Sequence, residues 1–451
     1  MNKKFILLLI FIISLTIYTK ASDTKASEKP LSLDDCINCA LENNSAVDVA
    51  EKQVEVSHAK VDEILAERYP TIYAIGSASQ YHYQSGYQNF TLSKPLPFGT
   101  DINQIALDSD NFDAVLAVEM NQIIYDGGAV NIKLITARLE EENEKIKLQS
   151  VKENLSYKVK LAFYSALKAK DQLLLSEENI RASKDHLKLT EALFESGFVP
   201  QVDKVSAEIA LTKAEMLSSQ AQNEYDKSLN NLNSAMGRGM EEAIEIYSDN
   251  SFTPVNTDEK ILLKKAITGR FEIRQLNLAL SQQKDSISAI EALIKPTINV
   301  ITGYAVRNDN SMGRKGFYIE LGLSMPIFNV RDRAEMDKVN ASTEQVKKQK
   351  ELVETNIELE VKNALLDLKS AESCIEIAEK EVDLSLLQLQ ISEGKYKQGA
   401  GAIMEVTASQ LNLTKSKTDY INAIYNYKIA LATVEHVANI KIEDVQQKTD
   451  K

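Results

Sequence analysis

The chain is poor in everything that bends or braces a compact domain. Its 451 residues include 16 glycines, 8 prolines, 3 cysteines and no tryptophan, and aromatic residues make up 6%. Glycine and proline together reach about 5%, against roughly 12% in ordinary use. A compact enzyme with many short elements needs more turns than that, and a collagen-like or proline-rich disordered chain needs far more. Three cysteines exclude a disulfide framework. The formal net charge of −13 leaves no basic surface to neutralise phosphates, which argues against nucleic-acid binding. No glycine-rich phosphate loop, G-x-S-x-G or H-E-x-x-H is present, so no enzyme and no cofactor is expected. After residue 18 no apolar run is long enough to cross a bilayer as a helix.

What is present is a set of long unbroken stretches. At 44% hydrophobic the chain can bury a large surface, so wholesale disorder is not expected. Lys3 and Lys4 precede an apolar run from Phe5 to Tyr18 and then Thr19-Lys20-Ala21-Ser22, the pattern of a signal peptide over 1–21. The competing reading is a retained anchor, for which 14 apolar residues are short. Residues 129–196 and 327–393 contain neither glycine nor proline, and a helix of that length is about 100 Å long. In the second stretch Ile357, Val361, Ala364, Leu368, Ala371, Ile375, Ala378, Val382, Ser385 and Leu389 alternate steps of four and three. That is coiled-coil spacing.

The two halves match each other. Ala40 precedes Pro70 by the same 30 residues that separate Ala266 from Pro296, and both prolines open Pro-Thr-Ile. Phe194-Glu195-Ser196-Gly197 corresponds to Tyr396-Lys397-Gln398-Gly399, and Leu211-Thr212-Lys213 to Leu413-Thr414-Lys415, each offset by 202. The expected organisation is two tandem repeats, each helix, strand, strand, long helix, helix. Residues 22–255 would hold a helix over 31–69, strands 71–84 and 112–125, helices 129–196 and 201–237 and a linker 238–255. Residues 256–440 would hold a helix over 257–295, strands 297–307 and 316–326 and helices 330–396 and 402–439, before a tail 441–451. The strands alternate at period two and have the length of membrane barrel strands. Four strands cannot close a barrel, and an open sheet in lipid leaves its edges unsatisfied. Three copies would give twelve strands with room for a pore, on twelve helical columns. The expected fold is therefore mainly α with a membrane β-barrel.

This layout resembles the TolC family of outer membrane efflux and secretion channels, over about Leu31 to Ile440. The carrying segments are Leu31-Ser32-Leu33-Asp34-Asp35 with Ala40-Leu41-Glu42-Asn43-Asn44, then Arg68-Tyr69-Pro70, then Gln122-Ile123-Ile124-Tyr125-Asp126-Gly127-Gly128, and the tip motifs beginning at Phe194 and Tyr396. The resemblance implies a homotrimer in the outer membrane of a Gram-negative bacterium, with a coiled-coil tunnel in the periplasm. It implies a periplasmic adaptor (membrane fusion) protein, an inner-membrane RND pump or ABC exporter, and outer membrane lipid as partners. A periplasmic coiled-coil adaptor or scaffold is the alternative. It further implies tip turns at Gly197, Pro200, Gly399 and Gly401, and a constriction from Asp203, Glu405 and Tyr396. Ala408 and Gly401 stand where the best-known member has an acid and a basic partner, and Asn329-Val330-Arg331 stands where the family often has Asp-Gly-Gly.

Each candidate also has a plainer reading. Asp203 and Glu405 are either ring carboxylates or solvated acids favoured by a helix N-terminus. Tyr396 either links the gate or packs at its turn. Cys36 and Cys39 are read as buried thiols or a local disulfide rather than a redox centre, with no zinc ligands nearby. Asp108, Asp110, Asp113 and Glu119 mimic a calcium loop but lack its glycine, and are read as ordinary polar residues. The segment 84–111 is read as an extracellular loop. His58, His82, His186 and His436 are scattered, and each is read as a surface or packing residue.

Overall fold

The computed structural model describes residues 30–81, 111–240, 242–247, 255, 258–309 and 313–440. The segment expected to be a signal peptide, most of the segment 84–111 expected to be an extracellular loop, and residues 441–451 lie outside them. The elements in chain order are α1 (Leu33–Asn43), α2 (Ser45–Ala66), β1 (Thr71–Tyr81), β2 (Asn111–Tyr125), α3 (Ala129–Glu195), α4 (Gln201–Met236), α5 (Glu259–Gly269), α6 (Phe271–Leu293), β3 (Thr297–Asp309), β4 (Gly313–Ser324), α7 (Val330–Lys397) and α8 (Ile403–Ala438). Contacts divide the chain into two compact units. Ala50–Leu148 and Phe271–Thr355 form one, and the segments around them form the other.

The first of these units holds the sheet, ordered β1-β2-β3-β4 and antiparallel throughout. Its register places Val118 opposite Tyr304 and Tyr304 opposite Phe317, so the alternation of each strand assembles one apolar face. Ile72, Leu116, Ile319, Leu321 and Leu323 belong to it, and Phe317 is 87% exposed. The Tyr304 and Phe317 rings meet edge to face at 4.8 Å. The opposite face is polar. There Arg307 holds Asp113 with two bonds, of 2.9 and 2.7 Å, and the Tyr318 hydroxyl donates to Glu119 at 3.0 Å. Gly303 sits between those two in register. A Cβ there would lie 2.8 Å from the Tyr318 oxygen and 2.5 Å from the Val118 carbonyl oxygen, so the glycine is what lets the tyrosine cross its neighbour strand.

Strand passes to helix through side-chain caps. The Asp126 carboxylate accepts from the Gly128 and Val130 amides at the start of α3. Asn329, in the matching place before α7, accepts from Arg331 N and donates to Asp332. The departure from Asp-Gly-Gly thus keeps the capping oxygen that an exposed helix start requires. Val61, Leu134 and Ala137 form a small core between α2 and α3, with Ile64 and Leu65 packed on it.

The second unit corrects the expected single helices over 31–69 and 257–295. Each is broken. Asn44 leaves helical geometry (φ −83°, ψ 119°) while its N–H still bonds Ala40 O. Its side chain accepts from Ala46 N at 2.9 Å, opening α2, and donates to Ala235 O at 2.9 Å. Arg270 (φ −64°, ψ 139°) breaks the second stretch in the same way, its N–H bonding Ala266 O. At Asn44 the asparagine offers its own oxygen in place of the next helical bond, which explains that break without proline. The paired positions Cys36 and Leu262, and Ala40 and Ala266, are all fully buried.

Four helices end alike. After α3, α4, α7 and α8 the chain turns through a left-handed residue, Gly197 (φ 74°), Gly237 (φ 73°), Gly399 (φ 72°) and Asn439 (φ 51°). The following amide reaches back five residues, as in Phe198 N to Leu193 O and Ile440 N to Glu435 O. This is the Schellman closure that satisfies the last carbonyls. Within α7, the seam residues Ile357, Val361, Ala364, Leu368, Ile375, Ala378, Ser385 and Leu389 are buried as their spacing requires. Ser385 and the α8 residue Ser416 share a buried hydrogen bond of 2.8 Å.

Gly197 and Gly237 share a backbone shape but not surroundings. A Cβ at Gly197 meets nothing within 4 Å, whereas at Gly237 it would lie 2.6 Å from Asn43 O. The left-handed conformation costs a non-glycine residue roughly 1–3 kcal/mol, and overpacking adds about 1–3 kcal/mol. Gly197→Ala is expected to lower the thermal midpoint slightly and Gly237→Ala several degrees further. Equal shifts for the two variants would contradict the close packing of Asn43 against the end of α4.

Candidate functional site at the hairpin tips

The α3–α4 and α7–α8 turns are built on one plan. Gly197 and Gly399 close the long helices, and Pro200 and Ala402 stand at the starts of the short ones. Neither start carries a side-chain cap, so the exposed helix N–H groups rely on nearby negative charge. Asp203 and Glu405 sit in those first turns, with their own amides bonded to Pro200 O and Ala402 O at 3.0 Å. Asp203 is half-buried and Glu405 exposed.

Tyr396 is 4% exposed. It packs with Leu389, Ile403, Val406 and Leu413, and with Leu189, Leu193 and Val199 around them. Its hydroxyl lies by Thr190 and within the field of Asp203, yet forms no hydrogen bond of good geometry. Thr190 donates its own hydroxyl to His186 O. Burial raises the Tyr396 pKa above the ordinary phenol value, Thr190 works against that rise and the Asp203 charge adds to it. The tip therefore brings Tyr396 and Asp203 together and leaves Glu405 on the surface. Gly401 has a steric reason for lacking a side chain: a Cβ would lie 3.0 Å from the Lys395 Cβ and 3.2 Å from Tyr396 N. Ala408 is exposed. Phe198, Val202 and Met404 expose apolar surface at the same turns.

The remaining candidates fall elsewhere. Cys36 and Cys39 are free thiols. Cys36 is fully buried, and burial, aided by Cys39 and Asp35 and opposed by Arg238, pushes its pKa up to about 12. A thiol so held is a poor nucleophile. Asp113 and Glu119 lie in β2 with Arg307 and Tyr318 as partners, not in a loop, while Asp108 and Asp110 lie outside the described residues. Among the described residues no cluster of His, Cys, Asp or Glu could hold a metal ion. His58 Nδ1 is 3.4 Å from Glu141, His186 Nε2 is 3.5 Å from Glu393, and His436 stacks on Tyr157 at 4.2 Å. His82 lies outside the described residues.

One polar seam had no counterpart among the sequence candidates. Between α3 and α8, the buried Tyr425 donates to Asp171 at 2.7 Å, Lys160 meets Glu435 at 2.6 Å, and Gln172 bonds Asn422 at 3.0 Å. These partners are some 250 to 275 positions apart, and no local spacing marks them.

A family model described as outer membrane efflux protein matches residues 36–238 and 262–439. No curated protein matches significantly. Among solved structures, one of CusC, concerned with conformational changes accompanying folding and transmembrane channel formation, is similar with a TM-score of 0.73 at 18% identity, covering 94% of this chain and 96% of that one. The outer membrane protein VceC of Vibrio cholerae gives 0.71 at 13% identity, over 91% and 96%. The open state of the MtrE outer membrane channel of Neisseria gonorrhoeae gives 0.70 at 15% identity, over 90% and 89%.

The buried, unbonded hydroxyl of Tyr396 yields a test that separates packing from hydrogen bonding. Removing an unsatisfied buried polar atom is close to neutral, whereas removing a buried ring costs about 3–5 kcal/mol. Tyr396→Phe should keep the thermal midpoint of the parent, and Tyr396→Ala should lower it sharply. A marked loss in Tyr396→Phe would show that the hydroxyl has a partner.

Proposed function

The chain belongs to the outer membrane efflux protein family, and on that footing we propose that three copies form a passive duct carrying exported molecules across the outer membrane. The observation that carries this reading is the sheet. Among the described residues its outer strands β1 and β4 are each paired on one side only, and exposed apolar residues continue past the end of β4 at Met325 and Ile327, the latter 97% exposed. Hydrocarbon tolerates neither open edges nor a partial barrel. Three copies close twelve strands around an aqueous lumen lined by the polar face.

The helices support the same assembly. Leu359 and Leu366, then Ile377, Leu384 and Ile391, form exposed lines at steps of seven on α7. Val202, Ile209 and Met216 form another on α4. Such lines outside a protomer's own seam are what coiled-coil contact with a further copy uses. Two tandem repeats account for the matched architecture: 226 residues separate the breaks at Asn44 and Arg270, and 202 separate the turns at Gly237 and Asn439. A periplasmic adaptor or scaffold would not account for the sheet.

In this reading residues 1–21 are a signal peptide, and the tips around Gly197, Pro200, Gly399 and Gly401 meet a periplasmic adaptor. That adaptor serves an RND pump or an ABC exporter in the inner membrane. Three copies of Asp203 and Glu405 ring the tunnel mouth, where carboxylates attract cations and repel one another. Tyr396 acts there by packing the turn that carries Gly401.

Bilayer recording on the purified protein tests this. Glu405→Ala should raise conductance and weaken cation preference, and Asp203→Ala should act in the same direction. Unchanged conductance and ion preference in both variants would remove the gate from the proposal, and absence of any conductance in the parent would remove the duct.

A further inference from the structure

We propose that Glu119, midway along the sheet, is a charge-selective element of the barrel, separate from the tips, with Tyr318 as its positioning residue. It rests on the duct reading, because only closure by further copies turns the polar face into a lumen. Glu119 is the ninth of the fifteen residues of β2. Gly303 is the seventh of thirteen in β3 and Tyr318 the sixth of twelve in β4. The register sets these three side by side, with Tyr73 of β1 on the other flank of Glu119. Their level is thus far from both ends of the strands, where the hydrocarbon around the proposed barrel is deepest.

Glu119 is built into the wall rather than left on it. At 9% exposure it is the one charged side chain that is buried among the described residues. A buried charge is costly unless it is bonded. The Tyr318 hydroxyl supplies that bond, donating to Glu119 Oε2 at 3.0 Å, and it crosses β3 only because Gly303 has no side chain in the way. Among the described residues no ammonium or guanidinium group forms an ion pair with Glu119. The tyrosine therefore fixes the depth of the carboxylate and leaves its charge uncompensated.

The other strand charges sharpen the effect of position. The four strands carry three cations, Arg307, Arg314 and Lys315, and four acids, Asp113, Glu119, Asp309 and Glu320. All three cations lie toward the Asn111 end of the sheet. There Arg307 holds Asp113, Arg314 stands opposite Arg307 in register, and Lys315 alternates with Phe317 and Ile319 onto the apolar face. From Glu119 to the Thr71 end the polar face bears Glu119 and the exposed Glu320 and no cation. Three copies place six carboxylates there, within walls of low dielectric that strengthen their field. An ionisable group at membrane depth facing water marks an ion path, and the lumen residues of a barrel tune its selectivity.

Reversal potentials of the full chain in a planar bilayer, under a potassium chloride gradient, test this. The measurement is made in a background of Asp203→Ala and Glu405→Ala, so that the tip carboxylates contribute nothing. Cation preference should persist in that background. Adding Glu119→Gln, which keeps the shape and can still meet Tyr318, should lower the potassium-to-chloride permeability ratio about two- to threefold, the scale of one charge acting through several ångströms of water. Glu119→Asp should keep most of the preference. Tyr318→Phe should lower it by less than Glu119→Gln, because the charge stays while its position loosens. An unchanged ratio after Glu119→Gln would overturn the proposal, as would a Glu119→Asp chain no more selective than Glu119→Gln. Absence of any current from the parent would remove the duct and the barrel element with it, whereas current whose selectivity ignores Glu119 removes the barrel element alone.

Discussion

The backbone edges of β1 and β4, unpaired among the described residues, are the constraint on which the rest depends. An amide or carbonyl in hydrocarbon must find a hydrogen bond within protein, and a four-stranded sheet leaves two rows without one. In water those rows could be hydrated. The apolar face assembled from Leu116, Val118, Tyr304, Phe317 and Leu321 argues that lipid, not water, surrounds them. In the proposed duct, further copies of the chain cover those edges, and the polar face with its Arg307–Asp113 and Tyr318–Glu119 pairs lines the pore. Gly303 follows from the same demand, since only a residue without a side chain lets Tyr318 reach Glu119 across β3.

The helical unit meets a related demand by different means. Every helix end leaves carbonyls and amides unsatisfied, and an element of 67 or 68 residues concentrates that problem at a few turns. Left-handed residues close four of those ends. The breaks at Asn44 and Arg270 pack where two others finish: Asn44 donates to Ala235 near the end of α4, and Asn439 donates to Gly269 at the end of α5. Scarcity of glycine and proline is thus compatible with precise termination, because asparagine supplies two of the devices. At the tips, by contrast, the helix starts have no capping side chain, and acidic residues in the first turn take that place. The same property makes Asp203 and Glu405 candidates for a gate.

The long elements were legible because their signals are periodic. The α7 seam, the strand alternation and the tip glycines all appear at fixed spacing, and burial follows that spacing. Tyr396 continues the same seam, seven residues past Leu389, so its burial could have been read from the pattern. The breaks at Asn44 and Arg270 were missed because apolar periodicity continues through them; the signal was Asn43-Asn44 and Gly269-Arg270 at matching places in the two halves. Side-chain partners such as Tyr318 with Glu119, or His186 with Glu393, lie about two hundred positions apart. Only folding brings them together. The lack of a side chain at Gly401 reads as a missing basic partner in sequence and as a packing requirement in three dimensions.

Closure of the sheet by further copies is the central claim, and the mass of the particle extracted from the outer membrane in mild detergent tests it most directly. Native mass spectrometry should find three chains per particle, stable at concentrations where a weak complex would fall apart. A single chain, extracted without detergent and stable in water, would contradict the account, because the apolar face and both open edges would then have no cover.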